Sequence, residues 1–449
     1  MKSSLRNVWI ILNLCLSYTI YAQTDSSVRL WGLTDCFQYA AAHNIQVNVL
    51  KLEQQLAAED LIAAKGIQSP SLSASIGNIF TNANSNAYGN GSLVNQLTTS
   101  GVYAFNSSVV LWNDNAIKNT IKQRDLLNQS AELSVQQSLN NLTLSITAAF
   151  LNILLAKENL TYVNDVVSTS EARVKQGQQF YDAGSIAKKD LLQLQATLAG
   201  DKYLQVQVQN DIRQNTLTLR QLLQLPVDTT FDVALPATLV LPRMLPSLKE
   251  AQSLALNSFP EIKIAKLGID ISELDIRKAK AGFKPVLTAS GALGTSYSDV
   301  ITNSVNSKTN YFTQTGNNFY QRAGLTLSIP IFSNYINKTN LAKANIIFKN
   351  AFLNYQNNAL VLSQAVEQAY LNASNALQSY NAAEVQLKAA SESYRIVNEQ
   401  FKLGAVNSYD LLQQRNQYIQ AIQAFTQAKY SAVLQEKIYE FYMGQPVTL

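Results

Sequence analysis

Charge, histidine and cysteine are scarce in this sequence, and each shortage excludes a class of protein. Only 14% of the 449 residues are charged, and 35 basic against 30 acidic residues leave a formal charge of +5. That excess is too small and too scattered for a nucleic-acid surface. A hydrophobic share of 47% excludes a disordered chain. One histidine, His43, and two cysteines, Cys15 and Cys36, cannot supply the roughly four ligands of a structural zinc site. With 17 Gly and 9 Pro, the chain lacks the turn residues of an all-β fold built from many short strands. It also lacks a nucleophile–base set, a glycine-rich phosphate loop and a metal cluster, so neither an enzyme nor a cofactor is expected. His43 reads as a surface residue of the first helix.

Residues 1–22 have the form of an export signal. Lys2 and Arg6 precede an interrupted apolar run from Val8 to Ile20, and Ala22 offers a small residue for cleavage. The run is too short to span a bilayer. Leu14 stands before Cys15, where a lipid-attachment cysteine needs a small residue, so no N-terminal lipid is expected. Cleavage leaves Cys36 without a disulfide partner. Beyond residue 22 no run of 18 apolar residues occurs, and no spanning helix is expected.

The chain is an internal repeat. Ala64-Lys65, Pro70, Leu72 and Ala74-Ser75 return, at one fixed offset, as Ala279-Lys280, Pro285, Leu287 and Ala289-Ser290. Ser108, Lys118, Gly184, Asp190-Leu191-Leu192-Gln193 and Pro226-Val227 return, at a second and larger fixed offset, as Ser328, Lys338, Gly404, Asp410-Leu411-Leu412-Gln413 and Pro446-Val447. The two offsets differ by five, so the second copy gains five residues in a polar tract, where loops accept insertions. The implied organisation is a first repeat at 23–225, a proline-rich connector at 226–246 and a second repeat at 247–449. Each repeat reads as helix, strand, polar loop, strand, very long helix, tight turn and long helix. Ser247 and Glu250 form a capping-box pattern, and Pro70 and Pro285 mark the helix–strand junctions.

Strand–loop–strand segments are expected at about 70–111 and 285–331. Leu72, Ala74 and Ile76 alternate with serines, and Tyr103, Phe105, Val109 and Leu111 alternate with Ala104, Asn106 and Ser108. Leu287, Ala289 and Ala323, Leu325, Leu327, Ile329, Ile331 repeat the pattern, so every strand has one greasy and one wet face. The tracts at 77–101 and 295–319, rich in Asn, Ser, Thr and Gly with Tyr88, Tyr297 and Tyr311 among them, read as long exposed loops. No Gly or Pro interrupts Val102–Gln176 or Ile331–Leu403, which allows helices of roughly 60 residues and about 90 Å. Leu142, Ile146, Ala149, Ile153, Ala156, Leu160, Val163 and Val167 step by four and three, as in a heptad seam.

Four amphipathic strands cannot close a barrel alone, and an open sheet edge is not tolerated in lipid. The pattern therefore implies an exported homo-oligomer whose copies share a barrel continued by a coiled-coil tube. Across residues 30–449 the chain resembles the TolC-like outer-membrane efflux proteins. The resemblance is carried by the duplicated strand–loop–strand insertions, the Pro70 and Pro285 junctions and two Gly-x₅-Asp-Leu-Leu turns. It implies a mostly α fold: a long antiparallel helical tunnel in the periplasm, with four strands per chain joining a trimeric 12-strand barrel in the outer membrane. It also implies a passive exit duct that meets a periplasmic adaptor and an inner-membrane transporter, in tripartite efflux or type I secretion. Drug, metal and peptide or protein exporters share this plan, and three Met residues do not suggest a soft-metal path. The rival reading is an exported coiled-coil scaffold without a pore, for which the mirrored greasy strand faces have no use.

By the same resemblance the hairpin tips are the docking and gating region. Adaptor docking falls to Tyr181, Gly184, Ser185, Lys188, Lys189, Leu403, Gly404 and Val406, and the constriction to Asp410, Asp190, Phe401 and Gln413. Val406 stands where the family's pattern has a basic residue, Gln413 where it has an acid and Phe401 where it has a tyrosine. A salt-bridge lock through those positions would have to be rebuilt, with Lys188 or Lys189 beside Asp190 the nearby cations. No metal site and no nucleic-acid partner is expected.

Overall fold

The structure is a computed structural model that describes residues 30–86, 93–227, 229–236, 244–301, 310–403 and 405–449. The signal segment 1–22, Tyr88, Pro242 and Gly404 lie outside the described residues. In chain order the elements are β1 (Leu30–Trp31), α1 (Leu33–His43), α2 (Ile45–Gly66), β2 (Ser71–Asn86), β3 (Leu93–Trp112), α3 (Ala116–Asp182) and α4 (Lys188–Leu223). After these come β4 (Asp232–Val233), α5 (Leu248–Ser258), α6 (Pro260–Ala281), β5 (Val286–Ile301), α7 (Tyr311–Asn317), β6 (Tyr320–Ser328), α8 (Ile336–Lys402) and α9 (Ser408–Tyr442).

The duplication is visible in backbone detail. Elements α1, α2 and β2 recur as α5, α6 and β5 at the smaller of the two sequence offsets, and α3 and α4 recur as α8 and α9 at the larger. Left-handed residues precede both long helices, at Asp114-Asn115 and Asn334-Tyr335. The extra residues of the second copy fall in sequence between β5 and β6, and among the described residues α7 has no counterpart in the first copy. The single first helix expected in each repeat is broken in two, at Asn44 and at Phe259. Asn44 accepts from the Val47 N–H as a cap, and Pro260 starts α6 where its missing N–H costs nothing. Ser247 Oγ accepts from the Glu250 N–H at 3.4 Å and begins α5. His43 ends α1 exposed, its ring stacked on Tyr39 with centroids 4.1 Å apart.

Each long helix has 67 residues, about 100 Å at 1.5 Å per residue. In α3 the seam residues Ile146, Ala149, Ile153, Ala156, Val163 and Val167 are all buried. The equivalent positions in α8 are Val366, Ala369, Ala373, Ala376 and Ala383, also buried but smaller on average. Helix α3 does contain an 18-residue window apolar enough to cross a membrane, a reading the sequence runs did not reveal. Its apolar residues from Ile146 to Leu154 belong instead to a protein core with Trp31, Cys36, Leu219, Leu223, Val433 and Val447. Packing accounts for that hydrophobicity. Cys36 is fully buried there, and desolvation, then the nearby Asp35 charge, pushes its thiol pKa up to about 12. The connector docks on the same region: β4 pairs in parallel with β1, and Lys157 Nζ donates to Asp232 Oδ1 at 2.6 Å.

The sheet is antiparallel, in the order β2-β3-β5-β6. Pairing places Ile76 beside Tyr103, Ala74 beside Phe105, Phe105 beside Leu293, Ala289 beside Leu325 and Leu287 beside Leu327. The apolar sets thus merge into one continuous face, and Leu72, Ile76, Phe105, Leu293, Leu325 and Leu327 stand exposed on it. The other face carries Ser71, Ser73, Asn106, Ser108, Ser290 and Arg322, with Ser71 and Ser108 hydroxyls 3.2 Å apart. The expected loop at 77–101 is largely strand, since β2 runs to Asn86 and β3 starts at Leu93, and the described part of 295–319 holds the end of β5, to Ile301, and helix α7. Main-chain ladders carry the pairing whatever the side chains, so Asn- and Ser-rich ends stay extended where both faces are wet. A bulge between Val110 and Trp112 corrects a second expectation. Leu111 is the extra residue there, and Trp112 takes the place opposite Leu287 on the apolar face.

Candidate functional site

Farthest from the sheet, α3 turns into α4 and α8 into α9. The first tip is a Schellman cap: the Ser185 N–H donates to Phe180 O at 2.7 Å and the Gly184 N–H to Tyr181 O at 2.9 Å. Gly184 takes φ +72°, which L side chains rarely adopt. At the second tip the Ala405 N–H donates to Gln400 O at 2.9 Å, repeating the first of these bonds at the equivalent place in the second copy. Helix α9 is capped by Asn407, whose Oδ1 accepts from the Asp410 N–H at 3.0 Å, whereas α4 starts from Ala187 with no side-chain cap.

The tip residues separate into two groups. Tyr181, Gly184, Ser185, Lys188, Lys189 and Leu403 are exposed, Val406 is half-buried, and Gly404 lies outside the described residues. Asp190 and Asp410 are half-buried in the first turns of their helices, where the macrodipole favours a carboxylate; Gln413 is exposed. Asp190 and Phe401 share a cavity of about 230 Å³ between the two hairpins, lined also by Arg173, Phe180, Ile186, Leu194 and Leu411. The cavity is apolar except for Arg173, Gln176 and Asp190. Asp410 and Gln413 do not line it. Among the described residues no ion pair joins Asp190 to Lys188 or Lys189.

A buried cluster farther from the tips links the hairpins, and the sequence reading missed it. Arg415 Nη2 donates to Asp201 Oδ2 at 2.6 Å and to Ser170 Oγ at 2.9 Å, while Ser170 Oγ donates to Asp201 Oδ2 at 2.5 Å. The three side chains come from α9, α4 and α3, and all are buried. One turn nearer the tip, Arg173 Nη2 donates to Tyr394 Oη at 2.6 Å and to Asn398 Oδ1 at 3.3 Å, joining α3 to α8. A signal existed. Asp201 lies seven residues from both Leu194 and Val208, and a charge at an apolar seam position in a charge-poor chain calls for a buried partner. Among the described residues no group of His, Cys, Asp and Glu is placed to hold a metal ion.

Two long helical hairpins joined to an amphipathic sheet resemble the architecture of the TolC-like outer-membrane channels. Residues 251–440 match the family model described as outer membrane efflux protein. Solved outer-membrane channels share the fold over 92% of this chain. The Campylobacter jejuni CmeC channel aligns at TM-score 0.76 with 18% identity, over 86% of its own chain. The Vibrio cholerae outer membrane protein VceC aligns at TM-score 0.77 with 14% identity, over 96% of its chain. The open state of the Neisseria gonorrhoeae MtrE channel aligns at TM-score 0.73 with 18% identity, over 88% of its chain. No curated protein matches by sequence. The second repeat thus matches the outer membrane efflux protein family model over most of its length, and the chain shares the fold of these solved outer-membrane channels.

Proposed function

We propose that this protein is the outer-membrane exit duct of a tripartite efflux or type I secretion system. It passively conducts cargo handed over by a periplasmic adaptor and an inner-membrane transporter. The observation that carries this reading is the four-stranded sheet: one face is apolar and exposed, the other polar, and among the described residues both edges, β2 and β6, are unpaired. In lipid those edges must pair. Three copies supply twelve strands, enough for a closed barrel, and continue it as a tunnel of long helices. The exposed tip residues Tyr181, Ser185, Lys188, Lys189 and Leu403 are the adaptor-docking surface, because they crown the end of the tube remote from the membrane.

In the trimer Asp410 forms a ring of three carboxylates at the tip end of the tunnel, which concentrates cations there. The test is ion selectivity in planar bilayers. Asp410→Ala should shift the reversal potential toward non-selectivity while leaving barrel insertion unchanged. An unaltered selectivity would remove Asp410 from the constriction.

A further inference from the structure

Among the described residues the second strand pair carries an element that the first lacks, and its position on the sheet is informative. Helix α7 is held against β5 by three polar contacts. Thr295 Oγ1 donates to Thr315 O at 2.5 Å, Asn318 Nδ2 to Ser296 O at 2.7 Å, and the Ser298 N–H to Gln314 Oε1 at 3.1 Å. The Tyr311 ring meets that of Tyr297 edge-on at 4.8 Å, and Tyr103, whose hydroxyl donates to Asn78 Oδ1 at 3.1 Å, stacks on Tyr297 at 6.4 Å. Tyr103 pairs with Thr295 and Phe105 with Leu293, and same-face residues recur at every second position. Helix α7 therefore lies on the greasy face of the sheet. Phe312 within it and Phe319 just after it remain exposed, at 78% and 56%.

Toward the helices that face is apolar through Phe105, Leu293, Leu325 and Leu327; away from them polar residues enter it, with Asn78, Thr99 and Asp299 standing among Phe80 and Leu97. At the opposite end stand Trp112, turned onto this face by the bulge, and the exposed pair Phe332 and Tyr335, with ring centroids 6.0 Å apart. From Tyr103 to Trp112 the strand covers about 30 Å, or roughly 23 Å once tilted by about 40°. That is close to the apolar band of roughly 25 Å that aromatic girdles bound in membrane barrels.

We propose that α7, with Tyr103, Tyr297 and Phe319, is a membrane-interface element that lies on the lipid-facing side of the barrel at the outer headgroup boundary. Phe312 points its ring toward the acyl chains, and the tyrosine hydroxyls stay at headgroup level, the arrangement amphipathic rings favour at such a boundary. This rests on the barrel reading above, so the test needs a reporter for each. Full-length Phe312→Trp and Leu325→Trp variants are reconstituted into phosphatidylcholine vesicles with lipids brominated near the headgroup or deep in the chain. Each is read against the parent, so that the native tryptophans subtract. The reporter at 312 should be quenched at least twofold more by shallow than by deep bromine and be shielded from aqueous iodide; the reporter at 325 should respond to deep bromine. If 325 responds but 312 is quenched by iodide alone, α7 does not touch lipid and the proposal falls while the barrel stands. If neither responds to bromine, the barrel reading falls with it.

Discussion

At the scale of single residues, the informative groups are the few polar ones that packing has swallowed. Glu436 on α9 is 6% exposed, and its Oε2 has no hydrogen-bond partner. Burial first, and the neighbouring Glu440 second, pushes its carboxyl pKa up to about 7 from an ordinary 4.5; Lys437 opposes the shift but is paired with Glu440 at 2.9 Å. The folded chain therefore holds a proton that the unfolded chain gives up between these two values. The contribution of this group to stability is full below the unfolded pKa and is lost as pH rises through the folded one. Glu436→Gln should melt a few degrees above the parent at pH 8 and at the parent's temperature at pH 4.5, as thermal scans at the two pH values would show. Equal melting at pH 8 would mean that the carboxyl is solvated.

At the scale of elements, the repeat made most of the fold legible. Glycine- and proline-free spans announced the two long helices, and the four-three spacing from Leu142 to Val167 marked the side of α3 that packs. Alternation of apolar residues located the strands because the period of a strand is strictly two. Composition misled in the tracts rich in Asn, Ser and Thr, since polarity says nothing of main-chain pairing once both faces meet water. Two features depended on three-dimensional context. The bulge at Leu111 changes which face Trp112 joins, and the union of Ser170, Asp201 and Arg415 brings together residues far apart in sequence. Asp190 and Phe401 do meet, at one cavity, but the polar links found between the hairpins lie away from the positions the family pattern nominates. Those links carry a prediction of their own. Asp201→Ala leaves the Arg415 guanidinium buried without its anion and should cost about 3–5 kcal/mol, seen as a lower melting temperature. Pairing Asp201→Leu with Arg415→Met should recover most of the loss, because a well-packed apolar pair replaces a buried ion pair at little cost. A double variant as unstable as the single one would show that the cluster orders the hairpins by more than charge compensation.

At the scale of the whole molecule, one chain is incomplete by its own chemistry. Its sheet exposes Leu72, Ile76, Phe80, Phe105, Leu325 and Leu327 on one face and, among the described residues, leaves two strand edges unpaired. In water this would be an aggregation hazard; in a membrane the apolar face is satisfied at once, but the edges are not. A pair of hairpins about 100 Å long likewise encloses nothing until other copies complete the tube. In the proposed assembly lipid and identical partners together remove both defects, and a pore would follow from the geometry of closure. The most direct measurement is the native mass of the full-length protein extracted from membranes in mild detergent. Three copies per particle, with no dissociation on dilution, is the predicted result. A monodisperse monomer, or a protein that stays soluble without detergent, would contradict the shared barrel and leave an exported coiled-coil scaffold in its place.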